Sequence, residues 1–144
     1  MLILGTHKSG SPLETRRLAE NFARQLKAGS TVVLIGELGA GKTEFVRGIA
    51  RALGVDKLVA SPSFVRLHAY GGNPSLYHAD FYLAKSEVDA ADYGLEDSCI
   101  QDGIVLIEWG DRFPNLIPPK AWKVTILRDA TNSRSRVIEI TVSG

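Results

Sequence analysis

Eight residues constrain this chain more than any others: Gly36-Glu37-Leu38-Gly39-Ala40-Gly41-Lys42-Thr43. They match G-x-x-x-x-G-K-[ST], in which a glycine-rich turn wraps its backbone N–H groups around phosphate oxygens. Each residue type has a reason. Glycine reaches φ > 0 and has no Cβ to hold a phosphate away. Lys42 is placed to reach the β and γ phosphates of a nucleotide, and the Thr43 hydroxyl to ligate Mg²⁺. The flanks say how the turn is held. Thr31-Val32-Val33-Leu34-Ile35 is a β-branched apolar run of strand length, and Glu44 to Leu53 sets Phe45, Val46, Ile49, Ala50 and Leu53 on one helical face. A glycine turn between a buried strand and a helix start delivers phosphate to the helix N-terminus, where free N–H groups and the macrodipole favour negative charge. Glu44, opening that helix, joins Gly36 to Thr43 in the expected nucleotide cradle.

A second stretch supplies the acidic half of such a site. Ile104-Val105-Leu106-Ile107-Glu108 puts four consecutive apolar β-formers before a carboxylate. The run predicts a central strand buried on both faces, and a buried carboxylate at its end is costly unless it is paired or serves a ligand. In doubly wound sheets the ligand crevice lies beyond the carboxyl ends of the strands, which sets Glu108 beside Lys42 and Thr43 on the Walker-B pattern. Trp109 follows in a loop at the same edge, with Arg112 as a candidate phosphate-side cation.

The remaining chain predicts a frame for these two stretches. Leu2 to Leu4 is expected as a short edge strand and Gly5 to Gly10 as a loop. Ser11 and Glu14 are spaced as a capping box with Pro12 at the first helical position, so a helix begins there and carries Leu18, Ala19, Phe22, Ala23 and Leu26 on one face. That helix packs on the sheet; its start, near Ser11, is a candidate neighbour of the nucleotide base. Ser61-Pro62-Ser63 is a turn entering a strand from Phe64 to Tyr70, and its hydroxyls are candidates for a γ-phosphate-sensing switch. Gly71 to Pro74 then turns the chain into a second strand, Ser75 to Phe81, making an antiparallel hairpin. Asp80, near the end of that strand, reads equally as a solvated turn carboxylate and as a group reaching Mg²⁺ or an attacking water. His68 and His78 lack metal-ligand spacing and read as structural or exposed. Ser86 to Tyr93 is a short acidic helix. Trp122 to Leu127 and Arg136 to Val142 form a C-terminal β-hairpin turning at Thr131 to Ser133, and Arg136 is the candidate among its arginines for lying near the nucleotide.

The fold expected is therefore α/β: a single domain, P-loop NTPase-like, with a three-layer α/β/α arrangement, a mixed, mainly parallel central sheet and a C-terminal β-hairpin. With 144 residues the chain is long enough for one core. Its net charge of +1 argues against gripping a nucleic-acid duplex alone. One cysteine, Cys99, allows no internal disulfide and reads as a small buried residue, and no Cys/His cluster suggests zinc. The absence of a long apolar run or a signal-peptide pattern predicts a cytoplasmic protein. N-K-x-D and D-x-x-G, the guanine and switch signals of GTPases, are both missing, which favours ATP.

Taken in order, Gly36 to Thr43, Ser61-Pro62-Ser63-Phe64, Tyr77-His78-Ala79-Asp80-Phe81-Tyr82, Gly94-Leu95-Glu96 and Ile107-Glu108-Trp109 resemble the TsaE (YjeE) family of small bacterial ATPases. The resemblance implies an ATP- and Mg²⁺-binding protein of weak intrinsic hydrolysis. It would act with TsaB and TsaD in threonylcarbamoyl modification of the adenosine beside the tRNA anticodon, meeting tRNA through that complex. It implies Lys42, Glu108 and Asp80 as catalytic residues and Thr43, Glu108 and Asp80 as the metal set. Ser63 and Trp109 would belong to the segments that respond to nucleotide. Two positions depart from the family pattern: Ser63 stands where threonine is usual, and Leu83 where arginine is usual. A small-molecule kinase and a nucleotide-dependent scaffold without turnover remain the competing readings; against the kinase, the region between Glu44 and Glu108 predicts a hairpin and an acidic helix in place of an arginine-rich lid.

Overall fold

Alternation and apolar runs decide which strands lie at the centre. In a computed structural model describing residues 3–37, 39–55, 67–95 and 98–142, Thr31–Ile35 (β2) and Ile104–Glu108 (β5) pair side by side and parallel. Every residue of β5 is buried, as its unbroken apolar run requires. Around this pair, Gly5–Ser9 (β1), Leu67–Gly71 (β3), Leu76–Asp80 (β4), Trp122–Asp129 (β6) and Asn132–Val142 (β7) complete a seven-stranded sheet ordered β1-β7-β6-β2-β5-β4-β3. The parallel pairings, β6 with β2, β2 with β5 and β5 with β4, make its centre. Antiparallel pairings of β1 with β7, β7 with β6 and β4 with β3 make its two margins, so the sheet is mixed and its parallel part lies in the middle.

Helices cover both faces. Pro12–Ala23 (α1) and Lys42–Ala52 (α2) bring Phe22, Phe45 and Ile49 onto Val32, Leu34, Leu106, Val124 and Ile138. On the opposite face Glu87–Ala91 (α3), Ser98–Gln101 (α4) and two single 3₁₀ turns, Gly110–Arg112 and Pro114–Leu116, cover Ala79, Val105 and Ile107. The capping box forms as the sequence predicts: Ser11 Oγ accepts from the Glu14 N–H at 3.2 Å, while the Gly10 N–H donates to the Glu14 carboxylate. α1 and α2 run in the same direction. Arg16 pairs with Glu44 at 3.0 Å near their starts, and Glu20 with Arg51 at 3.4 Å further along. Both helices therefore begin at the same end of the sheet.

Three expectations about the frame change. The N-terminal edge strand is Gly5–Ser9, not Leu2 to Leu4, and it occupies the stretch expected as a loop. It carries no apolar run because it is held through its backbone, residue for residue, against Arg136 to Ile140 of β7. α1 ends at Ala23, with Leu26 buried just beyond it. The C-terminal turn comes earlier than expected, closing with Asp129 paired to Asn132. No helix among the described residues is long and apolar enough to cross a membrane.

Candidate active site at the carboxyl ends of the parallel strands

The glycine loop leaves β2 and enters α2 as its sequence requires. Gly39 and Gly41 sit at φ 78° and 109°, left-handed conformations that a side chain rarely adopts. Gly41 is the N-cap of α2, and no side-chain hydrogen bond caps the helix, so its first N–H groups face the loop without the usual Ser or Asp partner. Two contacts fix the loop from outside. Arg136, on β7, donates its Nε to the Ala40 carbonyl at 2.8 Å, with Nη2 at 3.4 Å from the Gly39 carbonyl and Nη1 bonded to Ser133 and Ser135 carbonyls. Glu44, in the first turn of α2, is tied to Arg16 and to Arg47.

The strand register then gathers the chemistry. Asp80 is the register partner of Glu108 in the β4–β5 pair, and Glu108 that of Leu34 in the β5–β2 pair. The Trp109 N–H continues the ladder to the Leu34 carbonyl at 3.3 Å. Lys42, 6% exposed, places Nζ 3.8 Å from Glu108 Oε1 and 4.4 Å from the centre of the Trp109 ring. Trp109 reaches that position by adopting φ 60°, an outlier for a bulky residue that turns the chain sharply off β5. Its ring also lies 5.0 Å from that of Tyr82. Burial pushes the Asp80 carboxyl above its ordinary range; the Tyr82 N–H, donating at 2.8 Å, opposes the rise, and the nearby Glu108 charge adds to it. Two carboxylates and a lysine thus share one edge, with Thr43 half-buried in the first turn of α2.

The expected residues are sorted by this geometry. Gly36, Gly39, Ala40, Gly41, Lys42 and Thr43 form one loop and helix start, with Glu37 exposed on it. Glu108, Asp80 and Trp109 meet it at the strand ends. Ser11 lies at the start of α1, the end that α1 shares with α2, and its hydroxyl caps its own helix. Arg136 meets the loop through carbonyls, so its geometry is that of a loop brace. Arg112, the candidate phosphate-side cation, has its Nη1 engaged by the Phe81 and Tyr82 carbonyls at 2.6 and 2.7 Å, which fastens the segment after β4. Leu38 and Ser63, with the rest of Ser61 to Phe64, lie outside the described residues, as do Glu96 and the Cys99 side chain. His78 is the residue that sequence spacing missed. It is buried, and its Nε2 lies 2.7 Å from Glu108 Oε2. The signal was its position two residues before Asp80, on the same face of β4.

The donor set suits a hard cation completed by phosphate: two carboxylates and a threonine hydroxyl beside a helix N-terminus. Among the described residues no three His, Cys, Asp or Glu side chains form a metal cage by themselves.

A family model described as threonylcarbamoyl adenosine biosynthesis protein TsaE matches residues 9–137. The chain belongs to the TsaE family. It is 38% identical to a tRNA threonylcarbamoyladenosine biosynthesis protein TsaE of Treponema pallidum over 94% of this chain and 97% of that one. A protein of the same name from Streptomyces coelicolor is 35% identical, over 90% of this chain and 89% of its own length. Among solved structures, Bacillus subtilis YdiB superposes with a TM-score of 0.80 at 30% identity, covering 96% of this chain and 85% of that one. Membership fixes the P-loop NTPase-like fold and the pathway, tRNA threonylcarbamoyladenosine biosynthesis.

Proposed function

We propose that the chain binds ATP with Mg²⁺ at the Gly36 to Thr43 loop and hydrolyses it weakly, as the ATPase subunit acting in the cytoplasm with TsaB and TsaD during threonylcarbamoyl modification of tRNA. The observation that carries this reading is the convergence of Lys42, Glu108 and Asp80 with an uncapped helix start at the ends of adjacent parallel strands. The loop N–H groups and the α2 N-terminus hold phosphate oxygens. Lys42 exchanges its contact with Glu108 for the β and γ phosphates. Thr43 and Glu108 hold Mg²⁺, which when bound neutralises charge on the transferring phosphoryl group. Asp80, which burial raises above the ordinary carboxylate range, holds the metal or orients water. Trp109 covers the lysine and reports its movement.

The test uses the purified chain. ATP with Mg²⁺ should change Trp109 fluorescence, and adding chain and ATP to TsaB and TsaD should convert single-turnover tRNA modification into multiple turnovers. Tighter binding of GTP than ATP, or modification indifferent to the chain, would overturn the reading.

A further inference from the structure

We propose that His78 is a positioning residue for Glu108, fixing one carboxylate oxygen so that the other is presented to the metal; this rests on the ATP–Mg²⁺ reading above. β4 alternates, and its side facing α2 carries Leu76, His78 and Asp80. Leu76 packs in the core, and the next position on that face would suit another apolar residue. Instead it holds a histidine only 1% exposed. Burying an imidazole without a partner is costly, so its partner identifies its task. That partner is not scaffold. It is Glu108 Oε2 at 2.7 Å, whereas Oε1 stands 3.8 Å from Lys42, beyond hydrogen-bond length.

An ionised carboxylate only accepts, so the shared proton is carried by His78 Nε2. Nδ1 has no hydrogen-bond partner among the described residues, and Nε2 is the nitrogen that meets Glu108. Packing keeps it aimed: the Tyr70 ring lies 6.2 Å away at 37°, and His68 stacks on Tyr70 at 5.5 Å. Glu108 consequently has one oxygen pinned by a neighbouring strand and one turned toward the loop. When Lys42 moves to phosphate, Oε1 is already oriented for a cation. Without His78 the carboxylate is free to rotate, and metal binding bears the cost of ordering it.

The discriminating variants are His78→Gln, whose amide N–H reaches the Nε2 position, and His78→Asn, whose side chain is too short. His78→Phe keeps the ring against Tyr70 and removes the donor. Mg²⁺ is titrated against each variant at fixed ATP by calorimetry, with ATP alone in chelator as the reference. Losing a hydrogen-bond partner of a metal ligand typically weakens metal binding about 10- to 100-fold. His78→Asn and His78→Phe should raise half-saturating Mg²⁺ by about tenfold or more beyond any change in chelator-state ATP affinity, and His78→Gln should restore most of it. In a Glu108→Gln background, His78→Asn should produce no further shift. Equal Mg²⁺ dependence in parent, Asn and Phe variants would make His78 a core residue only, as would a Gln variant no better than Asn. A parent chain that binds no Mg²⁺–ATP would overturn the site reading itself, a different result from variants that match a binding-competent parent.

Discussion

Glu108→Gln separates the two things Glu108 does, because its effect on ATP affinity should change sign with Mg²⁺. In the free chain the carboxylate stands 3.8 Å from Lys42 Nζ, with both side chains nearly closed to solvent. Two unit charges at about 4 Å attract by about 1 kcal/mol in water and about 4 kcal/mol at an effective dielectric of 20. The burial favours the upper part of that range, and the desolvation of both groups offsets much of it. A net attraction of about 1.4 kcal/mol is a factor of about ten in a binding constant. Phosphate has to displace this contact to reach Lys42, and it also meets the negative charge of Glu108. Both effects vanish in the glutamine variant, so without Mg²⁺ it should bind ATP about tenfold more tightly than the parent. With Mg²⁺ present the variant lacks a metal ligand, the affinity advantage should disappear, and hydrolysis should fall by about 10²–10³-fold, the scale of losing one preorganised electrostatic partner. Calorimetric titration of ATP in chelator and in Mg²⁺, with phosphate release measured in parallel, reads all three quantities. Weakened ATP binding in both conditions, or hydrolysis equal to the parent's, would refute the reasoning.

Gly48→Ala tests the packing that aligns the two helix starts: alanine gains up to about 1 kcal/mol of helix propensity. However, its Cβ would collide with the Arg16 carbonyl oxygen and meet Ala19 Cβ at 2.6 Å, and overpacking of this kind costs about 1–3 kcal/mol. A net loss lowering the thermal midpoint by about 2–6 °C is expected, and a raised midpoint would show that α1 moves aside freely. Asp80→Asn tests the electrostatics of the edge. Because burial raises the folded-state carboxyl above the ordinary carboxylate range, the parent loses stability as pH rises through that raised value. The nucleotide-free variant should therefore melt higher than the parent at neutral pH, with the gap closing in acid where Asp80 is neutral, and it should need more Mg²⁺ to bind ATP. A gap that widens in acid would reverse the assignment.

What the sequence made legible was what lay within one element or across one turn. The loop, its strand and its helix are contiguous, so residue type and spacing suffice for them. β5 announces itself because burial on both faces leaves four apolar residues in a row, and Glu108 stands out as the charge that ends them. β1 was invisible for the opposite reason: an edge strand with mostly exposed side chains needs no apolar pattern, and the length of β7 is what recruits it. Arg112 could not be placed because its partners are carbonyls some thirty residues away, which sequence does not advertise. His78 was half legible. Its alternation with Asp80 was in the sequence, but only the β4–β5 pairing reveals that the shared face looks onto Glu108.

That pairing also explains how the site gathers so much charge at one edge of the sheet. Lys42 faces Glu108, Glu108 is bonded to His78, the Trp109 ring covers Lys42, and Tyr82 lies against Trp109. Each buried charge therefore has a partner inside the site. An anion that draws Lys42 away removes the cation beneath Trp109 and the positive neighbour of Glu108 in a single step. Trp109 is the member least able to stay unaffected, since its left-handed backbone is a conformation that surrounding contacts must hold in place. Its other neighbour, Tyr82, is half exposed and adjoins Leu83, which is 65% exposed, while Arg112 fastens the Phe81 and Tyr82 carbonyls behind them. On the proposed function this gives the ATP cycle a short physical route to the surface. The charge exchange at Lys42 reaches Trp109 directly, and the first residues beyond it are ones a partner protein can touch.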